Sequence, residues 1–439
     1  MFLYEKNTTY SIEDVMKAIF WILLILLLLI VWNWETIRIS LTFFLAIQRG
    51  LVAPSCFWWS VTDMILEDST GEDVYRKEQR ENPGQPFVMI NFWGRPMRMV
   101  IDPSYIKPIL DNSPFVFGAG IPKKRFFSTF MGGNLGISEG CPWKYRRALN
   151  EFVLDTDKKH HLFPLYNKEL KRMISKAPPR NFEEFGELGQ YMAGVIVFGT
   201  TKPSPSVFKV LEESNTSASI FFKITPSSYD AYDAYVRQQM ANPIPNSMVA
   251  LGRRFGSSDY EMTQQIPHWI FPIVSITAIG VPRALLLIRN TPSVYRKAKE
   301  GDPKYIRKCL LETLRLNNQV LSMFRTLLRD VTFPNGETLH KGDELVIFTN
   351  PVMRSPERFY QPDAYIPERW NDESLEDSYF NLIFSQGPQI CPGKNLALDY
   401  MNTMLRSLLQ YDIISAEPYF DTKKVPKMIN PCKITFEYA

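Results

Sequence analysis

One segment of the 439-residue chain gathers residue types that could do chemistry: FSQGPQICPGKNLALDY, Phe384 to Tyr400. Cys391 stands in a loop punctuated by glycine and proline, just before an apolar periodic run that predicts a helix over Leu396–Leu409. A sulfur so placed meets backbone N–H groups and the positive end of a helix, and both lower a thiol pKa and favour the anion. Gly387 and Gly393 permit a tight loop and the close approach of a flat ligand. Ala397, one turn into the helix, leaves room beneath such a ligand. The segment spells F-x-x-G-x-x-x-C-x-G-x-x-x-A and reads as a thiolate site rather than a buried apolar cysteine.

Other chemistries find less support. The four histidines, His160, His161, His268 and His340, do not sit with acids or cysteines at zinc spacing. The cysteines (Cys56, Cys141, Cys309, Cys391 and Cys432) are odd in number, scattered, and contain no C-x-x-C. That pattern predicts no disulfide framework and a reducing compartment for the bulk of the chain. A net charge of +4 gives no argument for nucleic acid. At 45% hydrophobic and 22% charged residues, the chain can bury a large core without staples.

Several elements must hold the cysteine loop. PFVMINFWG and PMRMVI predict a hairpin around Gly94-Arg95, followed by a helix through Ile109. Trp143–Leu154, Tyr166–Ile174 and Tyr305–Leu316 have helical periodicity. Trp269–Ile288 is an apolar helix interrupted by Gly280 and Pro282. Short strands are expected within Arg325–Ile347, irregular chain from Pro351 to Phe384, and strands after the last helix. Residues 201–266, polar and broken by proline and serine, give no clear assignment.

The N-terminus carries a different signal. Ala18 to Trp32 is uncharged, and Val15–Trp34 covers about 20 residues, or about 30 Å as a helix, which matches a bilayer core. No small-x-small cleavage site follows, which favours an uncleaved anchor over a signal peptide. Asn7-Thr8-Thr9 is a glycosylation sequon compatible with a luminal N-terminus.

The cysteine segment resembles the haem-binding loop of the cytochrome P450 family, and further matches follow in that family's order. Glu312-Thr313-Leu314-Arg315 is similar to its E-x-x-R helix, and Pro367-Glu368-Arg369-Trp370 to the segment whose arginine joins that pair. Trp143 and Arg147, in CPWKYRRAL, resemble the W-x-x-x-R helix that meets the haem propionates. Arg325 sits where the family often places another propionate ligand. The resemblance covers roughly residues 86–439. It implies a mainly α fold with small β-sheets (α+β), the P450 fold, preceded by a single N-terminal transmembrane helix. The expected organisation is a luminal tail at 1–14, an anchor at 15–34, a membrane-proximal linker at 35–85 and the haem domain at 86–439. The implied cofactor is haem b with Cys391 as its axial thiolate. Trp143, Arg147, Arg325, Phe384, Gly387, Gln389, Gly393 and Ala397 would surround it, and Glu312, Arg315 and Arg369 would brace the core. Implied partners are NADPH–cytochrome P450 reductase, cytochrome b5, the membrane and a hydrophobic substrate such as a lipid, terpenoid or other secondary metabolite. The implied location is the endoplasmic reticulum membrane, single-pass, with the catalytic domain facing the cytosol.

Three features depart from the family. Gln389 stands where an arginine or histidine is usual. Counting back from Asn290-Thr291-Pro292 puts Ser275 and Ile276 at the acid and alcohol positions of the oxygen-activating helix, leaving Thr277 as the nearby alcohol able to act in catalysis. A second register places the groove at Ala278-Ile279-Gly280, and neither register supplies an acid. The spans Arg147–His268 and Pro292–Glu312 are short for the family. A monooxygenase is the leading expectation. A haem-thiolate isomerase or dehydratase, or a haem-binding pseudoenzyme, are the alternatives.

Overall fold

The computed structural model describes Cys56, residues 70–92, 95–214 and 224–439. The expected tail and anchor at 1–34 lie outside these residues, as does Gly94 of the expected turn.

Sheet and helix follow the predicted alternation. β1 (Phe87–Phe92) and β2 (Arg95–Val100) pair antiparallel, with Phe87 opposite Val100. They join β3 (Phe117–Ala119), β4 (Ser322–Leu327) and β7 (Glu344–Phe348) in one sheet of order β1-β2-β7-β4-β3. Contact between β2 and β7 is parallel, so the N-terminal hairpin is tied to a strand from the far end of the chain. β5 (Val331–Thr332) pairs with β6 (Thr338–Leu339), and β8 (Ile413–Glu417) with β9 (Thr435–Tyr438).

Seven helices matter for the site. α1 (Glu72–Glu81) precedes the expected domain start at 86 but packs on the same unit: Tyr75 donates to Ile101 O at 3.0 Å and Arg76 to Pro351 O at 2.9 Å. α2 (Ile121–Phe127) follows β3, and α3 (Gly140–Leu154) carries Trp143 and Arg147. α4 (Phe182–Ala193) crosses the long α5 (Asp259–Asn290) where Gly189 offers no side chain; a Cβ there would lie 3.0 Å from Val274 Cα. α6 (Pro303–Leu316) and α7 (Lys394–Leu408) complete the set.

α5 is apolar and long enough to cross a membrane, yet it is mostly buried inside the domain and acts as its central core helix. It begins ten residues before the predicted Trp269, capped by Ser258, whose hydroxyl accepts from Glu261 N at 3.2 Å. Pro267 and Pro272 lie within it, and its middle, Ile276–Gly280, widens into a π-helical turn. Among the described residues, the unassigned stretch 201–266 supplies the helices Ser206–Ser214, Tyr229–Ala241 and Met248–Phe255.

The expectation of unpaired cysteines is corrected at one pair: Cys56 is joined to Cys432. Their sequence separation of 376 residues falls outside any local spacing signal. Cys141, Cys309 and Cys391 are free.

Candidate haem-thiolate site

Beneath the site lies a buried carboxylate. Glu312 and Arg315, one turn apart on α6, are wholly buried. Arg315 donates through Nε and Nη2 to the two Glu312 oxygens, both at 2.9 Å. Arg369 Nε (2.8 Å), Trp370 Nε1 (3.0 Å) and Ile366 N (3.1 Å) donate to the same carboxylate. Burial alone would raise the Glu312 pKa; the charges and hydrogen bonds of Arg315 and Arg369 outweigh it and hold the group below the usual range. This clamp fixes the irregular chain after Pro351 against α6, and that chain leads into the cysteine loop.

The loop is built by backbone bonds. Cys391 N donates to Phe384 O at 2.8 Å, and Ile390 N to Gly387 O at 3.0 Å. Gly387 has φ 69°, and a Cβ there would lie 2.6 Å from Leu110 O, so both conformation and space require glycine. From α3, Arg147 Nη1 donates to Ile390 O at 2.5 Å while its Nε pairs with Glu151. Thr156 holds Pro392 O at 2.9 Å. The loop is thus gripped from the α3 side on either flank of the cysteine.

Cys391 is held among packed residues yet keeps accessible surface, as do Phe384, Gly393 and Ala397. Its thiol carries the expected lowering influences, namely the Gly393 N–H and the charges of Arg147, Lys123 and Lys394. Burial outweighs them and pushes the thiol up, which corrects the expectation of a thiol lowered by its loop alone. A bound metal cation supplies the missing charge and deprotonates such a ligand.

The surrounding charges point the same way. Arg325, on β4, is buried; its Nε donates to Ser113 Oγ at 3.1 Å and its Nη1 to Phe324 O at 2.9 Å, and it meets no carboxylate among the described residues. Burial lowers its pKa to about 10. Lys123, on α2, likewise has no carboxylate partner among them; burial, with Arg325 beside it, lowers its amine to about 8, and it stands within electrostatic reach of Cys391. Two deep cations without anions are costly unless an anion joins them. Haem b presents two propionates, a flat apolar ring and an iron that takes a thiolate, so the residues present fit the group. Trp143 is buried with its ring edge-on to Phe115 at 5.3 Å, and its indole N–H has no partner among the described residues. Gln389 makes no side-chain hydrogen bond there either. Lys123 escaped the sequence reading, because IPKKRFF reads as a solvated basic run.

On α5, Ile276 is half-buried at the expected alcohol position. Ser275 Oγ donates to Gln319 Oε1 at 3.2 Å, and Gln319 Nε2 returns to Ser275 O at 3.3 Å. Thr277 donates to Ile273 O at 2.6 Å and meets the Tyr400 hydroxyl at 2.9 Å, so its hydroxyl faces α7. The second register is corrected: Ala278, Ile279 and Gly280 are fully buried, the first two against Phe182, Met428 and Cys432.

A helical fold in which a cysteine loop, an E-x-x-R clamp and unpaired cations converge defines a haem-thiolate protein. Comparison with known proteins agrees. A family model described as Cytochrome P450 matches residues 301–427. Mouse Cytochrome P450 3A25 is 23% identical over 77% of this chain and 80% of its own length. Tomato Cytochrome P450 85A3 is 24% identical over 80% and 85%. The (21S)-21-acetyl-1-hydroxy-apo-melianone synthase of Melia azedarach is 33% identical over 28% of this chain, which spans a quarter (25%) of that protein. The crystal structure of P450BioI in complex with hexadec-9Z-enoic acid ligated acyl carrier protein superposes with a TM-score of 0.65 at 14% identity, over 84% of this chain and 96% of that one. The chain is similar to the cytochrome P450 family, by the family model over residues 301–427 and by its relatives over most of its length, and it shares the fold of that family.

Proposed function

We propose that this chain oxidises a hydrophobic small molecule, of lipid, terpenoid or other secondary-metabolite type, with O2 and electrons from an NADPH-dependent reductase, held at the endoplasmic reticulum membrane by residues 15–34. The observation that carries this reading is the half-buried Cys391 within reach of Lys123, beside the equally unpaired Arg325. When bound, haem supplies the redox chemistry, and the thiolate behind it pushes electron density to favour O–O cleavage. The chain's own work is positional. Arg325, Lys123, Trp143 and Arg147 would hold the propionates, the Glu312 clamp would fix the cysteine loop, and the apolar wall of α5 would exclude water and admit an apolar substrate.

The distal wall favours a second reading. Ile276 has no proton to deliver, and α5 has no carboxylate after Glu261. A haem-thiolate isomerase or dehydratase, which needs no O2 activation, would tolerate that. Substrate-dependent NADPH consumption with a reductase present distinguishes the two. The thiolate itself is tested by the carbon monoxide complex of the reduced protein. It should show the red-shifted Soret band, and Cys391→Ser should abolish it, because a neutral hydroxyl cannot replace a thiolate donor. An unchanged spectrum in that variant rules the assignment out.

A further inference from the structure

α5 is buried on almost every side, yet a stripe of it is not. His268, Phe271, Pro272 and Ile276 all keep accessible surface, at positions i, i+3, i+4 and i+8, while their neighbours in 262–288 are buried, Val274 excepted. That spacing is one face of a helix. The helix is a core element, so the face borders an internal space. The space is tied to the cysteine side by Lys123, whose charge reaches both Cys391 and His268.

On this stripe His268 is the one titratable side chain. Its ring stands edge-on to Phe127 (5.9 Å) and Phe271 (5.3 Å). Nδ1 is buried with no hydrogen-bond partner. An orphaned buried polar atom is expensive to keep, and the accessible surface that His268 retains leaves its other nitrogen, Nε2, to meet a partner in the space. Among the described residues no acid pairs with the imidazole, so no second protein group accounts for it. Burial, with the Lys123 charge added, lowers its pKa to about 3, so the ring stays neutral at physiological pH.

We infer that His268 is a specificity-determining residue that hydrogen-bonds an uncharged polar head, a hydroxyl or carbonyl, on an otherwise apolar substrate. The inference rests on the monooxygenase reading above. A neutral imidazole between two phenyl rings suits an alcohol or ketone and gives a carboxylate no counter-charge of its own. Eight residues separate His268 from Ile276, which along a helix is about 12 Å. The substrate is therefore elongated, with its head at His268 and the reacting carbon about that far away, near Ile276. A site that hydrogen-bonds a substrate group rejects the analogue that lacks it more strongly than an apolar pocket rejects a missing methylene.

The test uses the full-length holoprotein and the spin-state change of its Soret band on ligand binding. The probes are dodecan-1-ol, its methyl ether and dodecane. Wild type should bind the alcohol roughly tenfold or more tightly than the alkane, from one hydrogen bond to a buried, otherwise unpaired group. His268→Leu should abolish that preference without weakening alkane binding, and His268→Asn should restore part of it. The ether shows whether the ring donates or accepts. Equal affinities in wild type, a preference that survives in His268→Leu, or no spectral response to any probe would each overturn the inference. The carbon monoxide spectrum of each variant keeps the outcomes separate: an intact red-shifted band leaves the haem-thiolate reading standing when the His268 inference fails.

Discussion

Replacing Glu312 by Gln is a stringent probe of what holds the cysteine loop in place. The carboxylate accepts five N–H bonds: two from Arg315, and one each from Arg369, Trp370 and the Ile366 backbone. Glutamine keeps one oxygen and presents an NH2 where the other was. At least two donors then face a donor, and the wholly buried Arg315 keeps only the one remaining side-chain oxygen and Met353 O, at 2.8 Å, as acceptors, with no negative charge beside it. Breaking a buried ion pair by removing one partner costs about 3–5 kcal/mol, because the remaining charge stays buried without compensation. With an unfolding entropy of about 2 cal/mol/K per residue over 70–439, that is a fall in Tm of roughly 4–6 °C. The assay is thermal and urea unfolding followed by tryptophan fluorescence and far-ultraviolet circular dichroism, with haem content measured on the same samples. The held-down Glu312 pKa adds a signature. Its contribution is present above the unfolded-state carboxylate pKa and is lost as pH falls through the lower folded value, so wild type and Glu312→Gln should converge in acid. A variant within about 1 kcal/mol of wild type at neutral pH would refute the claim that this carboxylate is the keystone.

Further consequences concern the haem pocket. Lys123 has a folded pKa of about 8 against an ordinary 10.5, so the unfolded haem-free chain binds the extra proton between those values. Haem-free protein should therefore gain stability as pH rises from about 8 to 10.5, and Lys123→Met should remove that gain; parallel pH profiles for the two proteins would contradict it. Gly387→Ala forces a methyl to within 2.6 Å of Leu110 O at a positive φ, which should destabilise the loop by about 1–3 kcal/mol and show first as faster haem loss to apomyoglobin. Ile276→Thr restores an alcohol at the half-buried position of α5. Proton delivery by a positioned group is typically worth 10²–10⁴-fold, so the variant should divert NADPH from hydrogen peroxide toward product. Tight coupling in the unmodified protein would show that Ile276 does not line the reacting space.

Much of the framework was legible because its signals are local. The β1–β2 hairpin, α3, α6 and α7 were predicted close to their observed spans, since each couples a clear period to a cap or turn. The start of α5 was missed because Pro267 and Pro272 interrupt its pattern, although Ser258 and Glu261 form the S-x-x-E capping signal. Tyr229–Ala241 was missed for a different reason: only Tyr232, Val236 and Met240 are buried, so its apolar stripe is narrow and its composition polar. The Cys56–Cys432 bond is a tertiary fact with no local trace.

At the site, motif spacing named the thiol and the clamp, but charge balance could not be read from motifs. The sequence shows a lost cation at Gln389. The structure shows a cation gained from elsewhere, since Lys123 on α2 lies deep beside Arg325 with no carboxylate of its own. An exposed lysine in a basic run is worth little, whereas the same residue buried without an anion is a strong demand for one. Only burial separates the two cases, and burial here depends on α2 folding against β4 and the loop before α3. The same logic applies to α5, where a run of apolar residues hides a face that is half open. His268 differs from its neighbours through the space in front of it rather than through its sequence context. What a pocket recognises is therefore decided by which polar atoms remain unpaired once the core has closed, and among the described residues these include two cations without a carboxylate, the Trp143 indole N–H and one imidazole nitrogen.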